Sequence, residues 1–354
     1  MTDINRRTLL GGAALGAVAA GAANVVSAQA PSAPVIDVHT HMFSQGWIDV
    51  VNSSDNENFR LGEGRTLISR GQGIGRISDS MLDFDIRIAD MDEAGVDIAL
   101  ISLTSPSVNW GTATENAKAA RAINDDFLTA ERKYDGRIRW MASLPLQNEA
   151  DALEELRRAK ANGAIGVCTL TNILGKPLTS PEFKNIWREA EAMELPVFVH
   201  PTTPYEDGMG MGEYGLANTV GFTSETSLCF SRMVYDGFFD EFPKIKMIAC
   251  HGGGAFPYLM ARFDRMWEMS RIAKGNIQNP PSSYVKRIYF DSIVYDDNTF
   301  DYLVKQVGID NLLYGSDYPF GLGDMKGLLA RVDTLGGAKA DQVRSGNALK
   351  IFDL

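Results

Sequence analysis

Histidine is scarce in this chain: there are four among 354 residues, and two of them, His39 and His41, fall within the run "VIDVHTHMF" at 35–43. An imidazole offers a nitrogen lone pair to a metal and titrates near neutral pH, so such clustering points to metal or acid–base chemistry. Residues two apart in an extended chain share a side, so both rings can aim at one point. His200 in "LPVFVH" and His251 in "ACHGGG" each close an apolar run of strand type, and Asp317 in "YGSDYPF" does the same. Imidazoles and a carboxylate are the donors expected for zinc or a similar divalent ion, with one position left open for water or substrate. Such an ion lowers the pKa of a bound water to about 7. An H-x-H pair alone is a weak sign, because a lone histidine beside a strand is more often a satisfied half-core residue. With all four histidines and Asp317 at strand ends, the metal reading prevails.

Strands must bring these groups together. Short β-branched runs at 35–38, 96–102, 138–144, 164–170, 195–200, 244–250, 287–292 and 311–317 alternate with amphipathic stretches such as 148–163 and 180–195. Most are near-continuous apolar runs, the pattern of strands buried on both faces. Eight strands separated by helices predict a single (β/α)8 TIM barrel, whose chemistry sits at the carboxyl ends of the strands. A doubly wound open sheet is the runner-up, but no Gly-rich dinucleotide fingerprint follows the first strand. Two segments, 43–82 after strand one and 201–220 after strand five, are expected to be long loops over the site. Asp291 in "YFDS" is expected to support a ligand or cap a helix, and Asp37 to face away from His39 in a structural part. Gly252–Gly254 read either as a plain turn or as room for the backbone to approach a ligand.

Composition narrows the partners. A net charge of -11 argues against a nucleic-acid or anionic-membrane surface and leaves a small-molecule substrate. Residues 1–30 read as an export signal: Arg6 and Arg7 precede a weakly apolar Ala/Gly run and the small-residue exit "SAQA". The arginine pair resembles the twin-arginine signal, which implies export to the periplasm with cutting after Ala30; a permanent anchor is the alternative and is not favoured. Residues 31–354 then form the barrel. Cys168, Cys229 and Cys250 have no paired spacing and are expected to be buried free thiols.

"DVHTH", "FVHP", "HGGGAFPYLMAR" and "LYGSDYPF" together resemble the amidohydrolase superfamily in its amidohydrolase-2 branch. The likeness is to the amino-carboxymuconate-semialdehyde decarboxylase group and related metal-dependent carboxy-lyases, and it runs from about residue 35 to the C-terminus. It implies one divalent ion, zinc or alternatively manganese, on His39, His41, His200 and Asp317, with His251 as general base. The strand-four run "AIGVCTL" lacks the lysine that bridges two ions in binuclear relatives. The implied reaction is non-oxidative decarboxylation of an unsaturated or aromatic acid, in which metal-bound hydroxide works with a His251/Asp317 acid–base pair. The rival is hydrolysis or hydration of a lactone, ester or ring-cleavage product at the same site. The resemblance also implies a homodimer in which Arg262 reaches the neighbouring subunit's substrate carboxylate. Arg76, in competition with Arg70, is a candidate for a second clamp. Tyr214 stands where the decarboxylases carry a tryptophan, and Trp110 is a candidate aromatic wall.

Overall fold

The computed structural model describes residues 33–69, 71–202 and 211–354. Eight parallel strands form one sheet: β1 (Ile36–His41), β2 (Ile98–Ser102), β3 (Ile138–Ser143), β4 (Gly166–Leu170), β5 (Val197–His200), β6 (Met247–Ala249), β7 (Ile288–Asp291) and β8 (Leu312–Leu313). They pair in chain order, and a parallel bridge between Thr40 and Tyr318 joins the last to the first. Backbone bonds from Val38 N to Tyr314 O (3.0 Å) and from Asp317 N to His39 O (2.8 Å) reinforce that seam. The result is a (β/α)8 barrel. Both faces of each strand are covered, which is why the runs are apolar throughout: Ile36, Leu100, Met141 and Phe198 fill the interior, while Trp140, Val167 and Val199 pack under the helices. Each such fully buried side chain contributes roughly 1.5–3 kcal/mol.

The elements depart from expectation in two places, the lengths of β1 and of β8. β1 runs through both histidines instead of stopping before them. Strict alternation would set Asp37 and His39 on the same face, but the register with β2 shifts between Asp37 and Thr40. Asp37 therefore faces outward, where it accepts hydrogen bonds from Ser316 N (3.1 Å) and Ser316 Oγ (2.5 Å), while His39 joins the interior. β8 is only two residues long, because from Tyr314 onward the backbone bonds to Val343 and to β1.

The segment after β1 is built rather than loose. It holds a helix, Gln45–Asn52, and a three-stranded antiparallel sheet of Phe59–Leu61, Thr66–Ser69 and Gln72–Arg76. After it comes the helix Phe84–Ala94, started by the Asp83 side chain, which accepts from Asp85 N and Ile86 N, and stopped by left-handed Gly95. This helix delivers Arg87 to the back of β1. The 180–195 stretch starts with a 3-10 turn at Pro181–Phe183 before the helix Lys184–Ala192, since proline has no N–H to continue a ladder. All three cysteines are free and buried. The expected export signal and Arg70 lie outside the described residues.

Candidate metal centre and acid–base pair

Donor atoms of His39, His41, His200 and Asp317 all lie within 4.8 Å of one another, and all four residues are buried. Each imidazole has its outer nitrogen already engaged. His39 Nδ1 donates to Asp291 Oδ2 (2.6 Å), and His200 Nδ1 donates to the Pro201 carbonyl (2.8 Å). His41 Nδ1 meets Ser102 Oγ (3.1 Å), whose own hydroxyl is directed at the Thr40 carbonyl. The three Nε2 atoms therefore turn their lone pairs inward. Asp317 Oδ1 stands 3.4 Å from His39 Nε2 and 3.5 Å from His41 Nε2, buried and without a hydrogen-bond partner among the described residues.

Converging lone pairs and an orphaned carboxylate oxygen are the signature of a cation site. Three imidazole nitrogens and a carboxylate oxygen gathered this closely would suit a divalent ion. Electrostatics agree. Burial pushes the His41 imidazole down to about 4 and His200 well below its usual range, so both stay neutral and available as ligands. For Asp317, burial alone would raise the carboxyl, but the imidazoles of His251, His39 and His41 outweigh it and hold it far below the ordinary carboxylate range.

His251 follows β6 in the left-handed region, φ 53°. Its Nε2 lies 3.4 Å from Asp317 Oδ2, and its buried Nδ1 has no partner among the described residues. Phe222 stacks over the ring at 6.5 Å and meets His200 edge-on at 6.0 Å. The glycines behind it serve the fold: a Cβ at Gly254 would fall 2.2 Å from the Thr223 carbonyl, so the close approach is to the helix Phe222–Tyr235.

The substrate candidates are dispersed. Arg262 is on the exposed face of the helix Phe256–Met269, with no ion pair among the described residues. Arg76 is exposed on the small sheet, its Nε donating to the Gly64 carbonyl (2.9 Å). Tyr214 is 91% exposed. Trp110 packs against Phe59 (5.2 Å) and Trp47 (6.5 Å), a place in the core beneath the first loop. None of these four makes a hydrogen bond to the histidine cluster among the described residues.

Two further side chains support the site without a mark in the sequence. Arg87 is fully buried; it donates to Thr40 Oγ1 (2.7 Å) and to the His41 carbonyl (2.5 Å), and lies over the Tyr318 ring at 4.7 Å. Thr104 sets its buried hydroxyl 3.4 Å from His200 Nε2. Neither had a signal in the sequence, since the helix that carries Arg87 is mostly polar and Thr104 lies outside any patterned run.

A barrel with three imidazoles, a carboxylate and a further histidine at its carboxyl rim defines a metal-dependent enzyme class, and the comparisons specify it. Residues 36–354 match the amidohydrolase family model, and the chain belongs to that family. A 2-amino-3-carboxymuconate-6-semialdehyde decarboxylase of Dictyostelium discoideum is 27% identical, with 90% of this chain and 91% of that protein covered. The apo IDCase of Metarhizium anisopliae superposes with TM-score 0.80 at 25% identity, covering 90% of this chain and 97% of the other. A 5-carboxyvanillate decarboxylase of Novosphingobium aromaticivorans, with bound manganese and 3-methoxy-4-hydroxy-5-nitrobenzoic acid, gives TM-score 0.76 at 25% identity over 91% and 97%.

Proposed function

We propose that this protein is a non-oxidative decarboxylase of an aromatic or unsaturated carboxylic acid, dependent on one divalent ion held by His39, His41, His200 and Asp317. The observation that carries the reading is the inward turn of three Nε2 atoms onto Asp317 Oδ1, with His251 beside them. It is supported by relatives whose names are those of decarboxylases. A bound divalent ion supplies Lewis acidity toward a substrate oxygen or a water. Zinc suits the three-nitrogen, one-oxygen donor set, and manganese, found in the Novosphingobium relative, is the alternative.

The chain's own groups carry the proton. His251 Nε2 shares it with Asp317 Oδ2 and delivers it to the ring or alkene carbon that bears the carboxylate. The carbon–carboxylate bond then breaks, CO2 leaves, and its bonding pair restores the unsaturated system, so a proton is taken up for each CO2 released. Phe222 and Phe320, which flank His200, His251 and His41, keep water from the reacting face.

The carboxylate needs a cation, and the chain offers Arg262 to a second copy of itself. Its freedom from ion pairs among the described residues, and the exposed Tyr258, Met266 and Met269 of the same helix, support that role. Export through the 1–30 segment belongs to the same reading, and N-terminal sequencing of a secreted fraction beginning at Pro31 tests it. The central experiment loads the purified chain with zinc or manganese and incubates it with hydroxybenzoic and muconate-type acids. CO2 release that chelation abolishes supports the proposal. Turnover of lactones or esters without CO2 release defeats it in favour of hydrolysis.

A further inference from the structure

Asp291 ends β7 and takes no part in the proton path above, yet its fully buried carboxylate accepts four hydrogen bonds. Oδ2 accepts from His39 Nδ1 at 2.6 Å and from the backbone N–H of His251 at 2.8 Å. Oδ1 accepts from Gly252 N at 2.8 Å and Ile293 N at 3.1 Å. Three of these donors are peptide N–H groups, which can only donate. The carboxylate is thus an acceptor throughout, and the proton in the fourth bond belongs to Nδ1 of His39. That sets the ring's tautomer and leaves Nε2 facing His41 and Asp317.

The same oxygen holds the peptide of His251. His251 and Gly252 both adopt left-handed backbone, φ 53° and 59°. A residue with a Cβ disfavours that region by roughly 1–2 kcal/mol, so His251 stays there only while its surroundings hold it. Two consecutive N–H groups clamped on one carboxylate do so, and they stand the imidazole over Asp317.

We propose that Asp291 is the positioning residue that sets the spacing between the ion-binding half of the site and its proton-carrying half, through one oxygen shared by His39 and His251. This inference rests on the metal-dependent reading and goes beyond it, because it assigns a group that touches neither ion nor substrate. Ser102 supplies the contrast: it holds His41 alone, at 3.1 Å, and has no bond to His251.

The test needs no substrate. Zinc and manganese affinities are measured on the full chain by chelator competition, and the four histidines are followed by nitrogen-15 NMR. Asp291→Asn is expected to weaken either ion by about 10–100-fold, as for loss of an outer partner of a ligating histidine. It also moves the ring resonances of His251. Ser102→Ala weakens the ion but leaves the His251 resonances in place. An Asp291→Asn chain that binds as tightly as wild type, or leaves His251 unmoved, overturns the proposal. Should that variant fail to fold, the wild-type chain decides: its His39 must carry the proton on Nδ1, slow to exchange, and an unprotonated Nδ1 overturns the assignment. If the wild-type chain binds neither ion, the metal reading falls, while the His251 shift still decides the coupling.

Discussion

His39 Nε2 and His41 Nε2 lie 3.0 Å apart, with the remaining nitrogen of each ring engaged by Asp291 or Ser102. Two lone pairs at that separation require a positive charge between them. In the ion-free chain that charge is a proton. Burial alone would lower His39, but the Asp291 and Asp317 carboxylates beside it win and raise it to about 10, while His41 sits at about 4.

Ion binding at pH 7 should therefore release about one proton, from His39, since His41 and His200 are already neutral. The sign follows: the proton competes with the ion below about 10, so apparent affinity rises roughly tenfold per pH unit between pH 7 and about 10 and then levels. Below about 4 a second proton, on His41, steepens the loss. Calorimetry in buffers of different ionisation heat counts the protons, and a count of zero at pH 7 would show that His39 is neutral there, with no proton on Nε2.

His251 Nε2 and Asp317 Oδ2 lie 3.4 Å apart, but their variants should fail in different ways. His251→Asn should retain the ion and lose roughly two to four orders of magnitude in rate, the usual contribution of a positioned acid or base. Asp317→Asn should lose ion and rate together, because Asp317 Oδ1 is the buried atom that faces both His39 and His41. Metal analysis beside turnover separates them. An ion-free His251→Asn protein would make His251 a ligand.

Arg262 should act across a subunit boundary. Arg262→Ala is expected to raise KM for the carboxylate substrate by about 10–150-fold, on the order of 1.5–3 kcal/mol for a charge-assisted hydrogen bond, with kcat less affected. Mixing Arg262→Ala with His251→Asn chains should restore a wild-type KM to part of the activity, as one interface then pairs an intact arginine with an intact base. Absence of complementation in a mixed dimer would place Arg262 at its own chain's surface.

How much of this was legible in the sequence depended on distance along the chain. The histidines at the ends of β1, β5 and β6 could be read because each closes a local apolar run, and a rare residue carries information wherever it recurs in one context. The shift between Asp37 and Thr40 could not, since it exists only in the pairing of β1 with β2, a strand distant along the chain. The small sheet after β1 is equally hidden: its strands are only three to five residues long, the last is glycine-rich, and only mutual pairing makes them strands. Arg87 looks from sequence like a solvent-facing helix residue. Its burial is explained only once Thr40 and the His41 carbonyl lie across from it.

Gly315 offers a last test, one of space. Its φ lies outside the left-handed region, so alanine could adopt the backbone and, by stiffening the unfolded chain, would by itself stabilise by about 0.4–1 kcal/mol. A Cβ there would sit 2.8 Å from His39 Cβ and 3.3 Å from Asp291 Cβ. The backbone cannot retreat, because Tyr314 N is bonded to Val343 O (3.0 Å) and Ser316 N to His39 O (3.2 Å). Overpacking of this kind costs about 1–3 kcal/mol, which outweighs the entropic gain. Gly315→Ala should therefore lower stability in denaturant titration and weaken ion binding, because the side chain that must move is His39. Unchanged ion affinity in a destabilised variant would mean that the strain is absorbed by neither His39 nor Asp291, and a stabilised variant would refute the close approach itself.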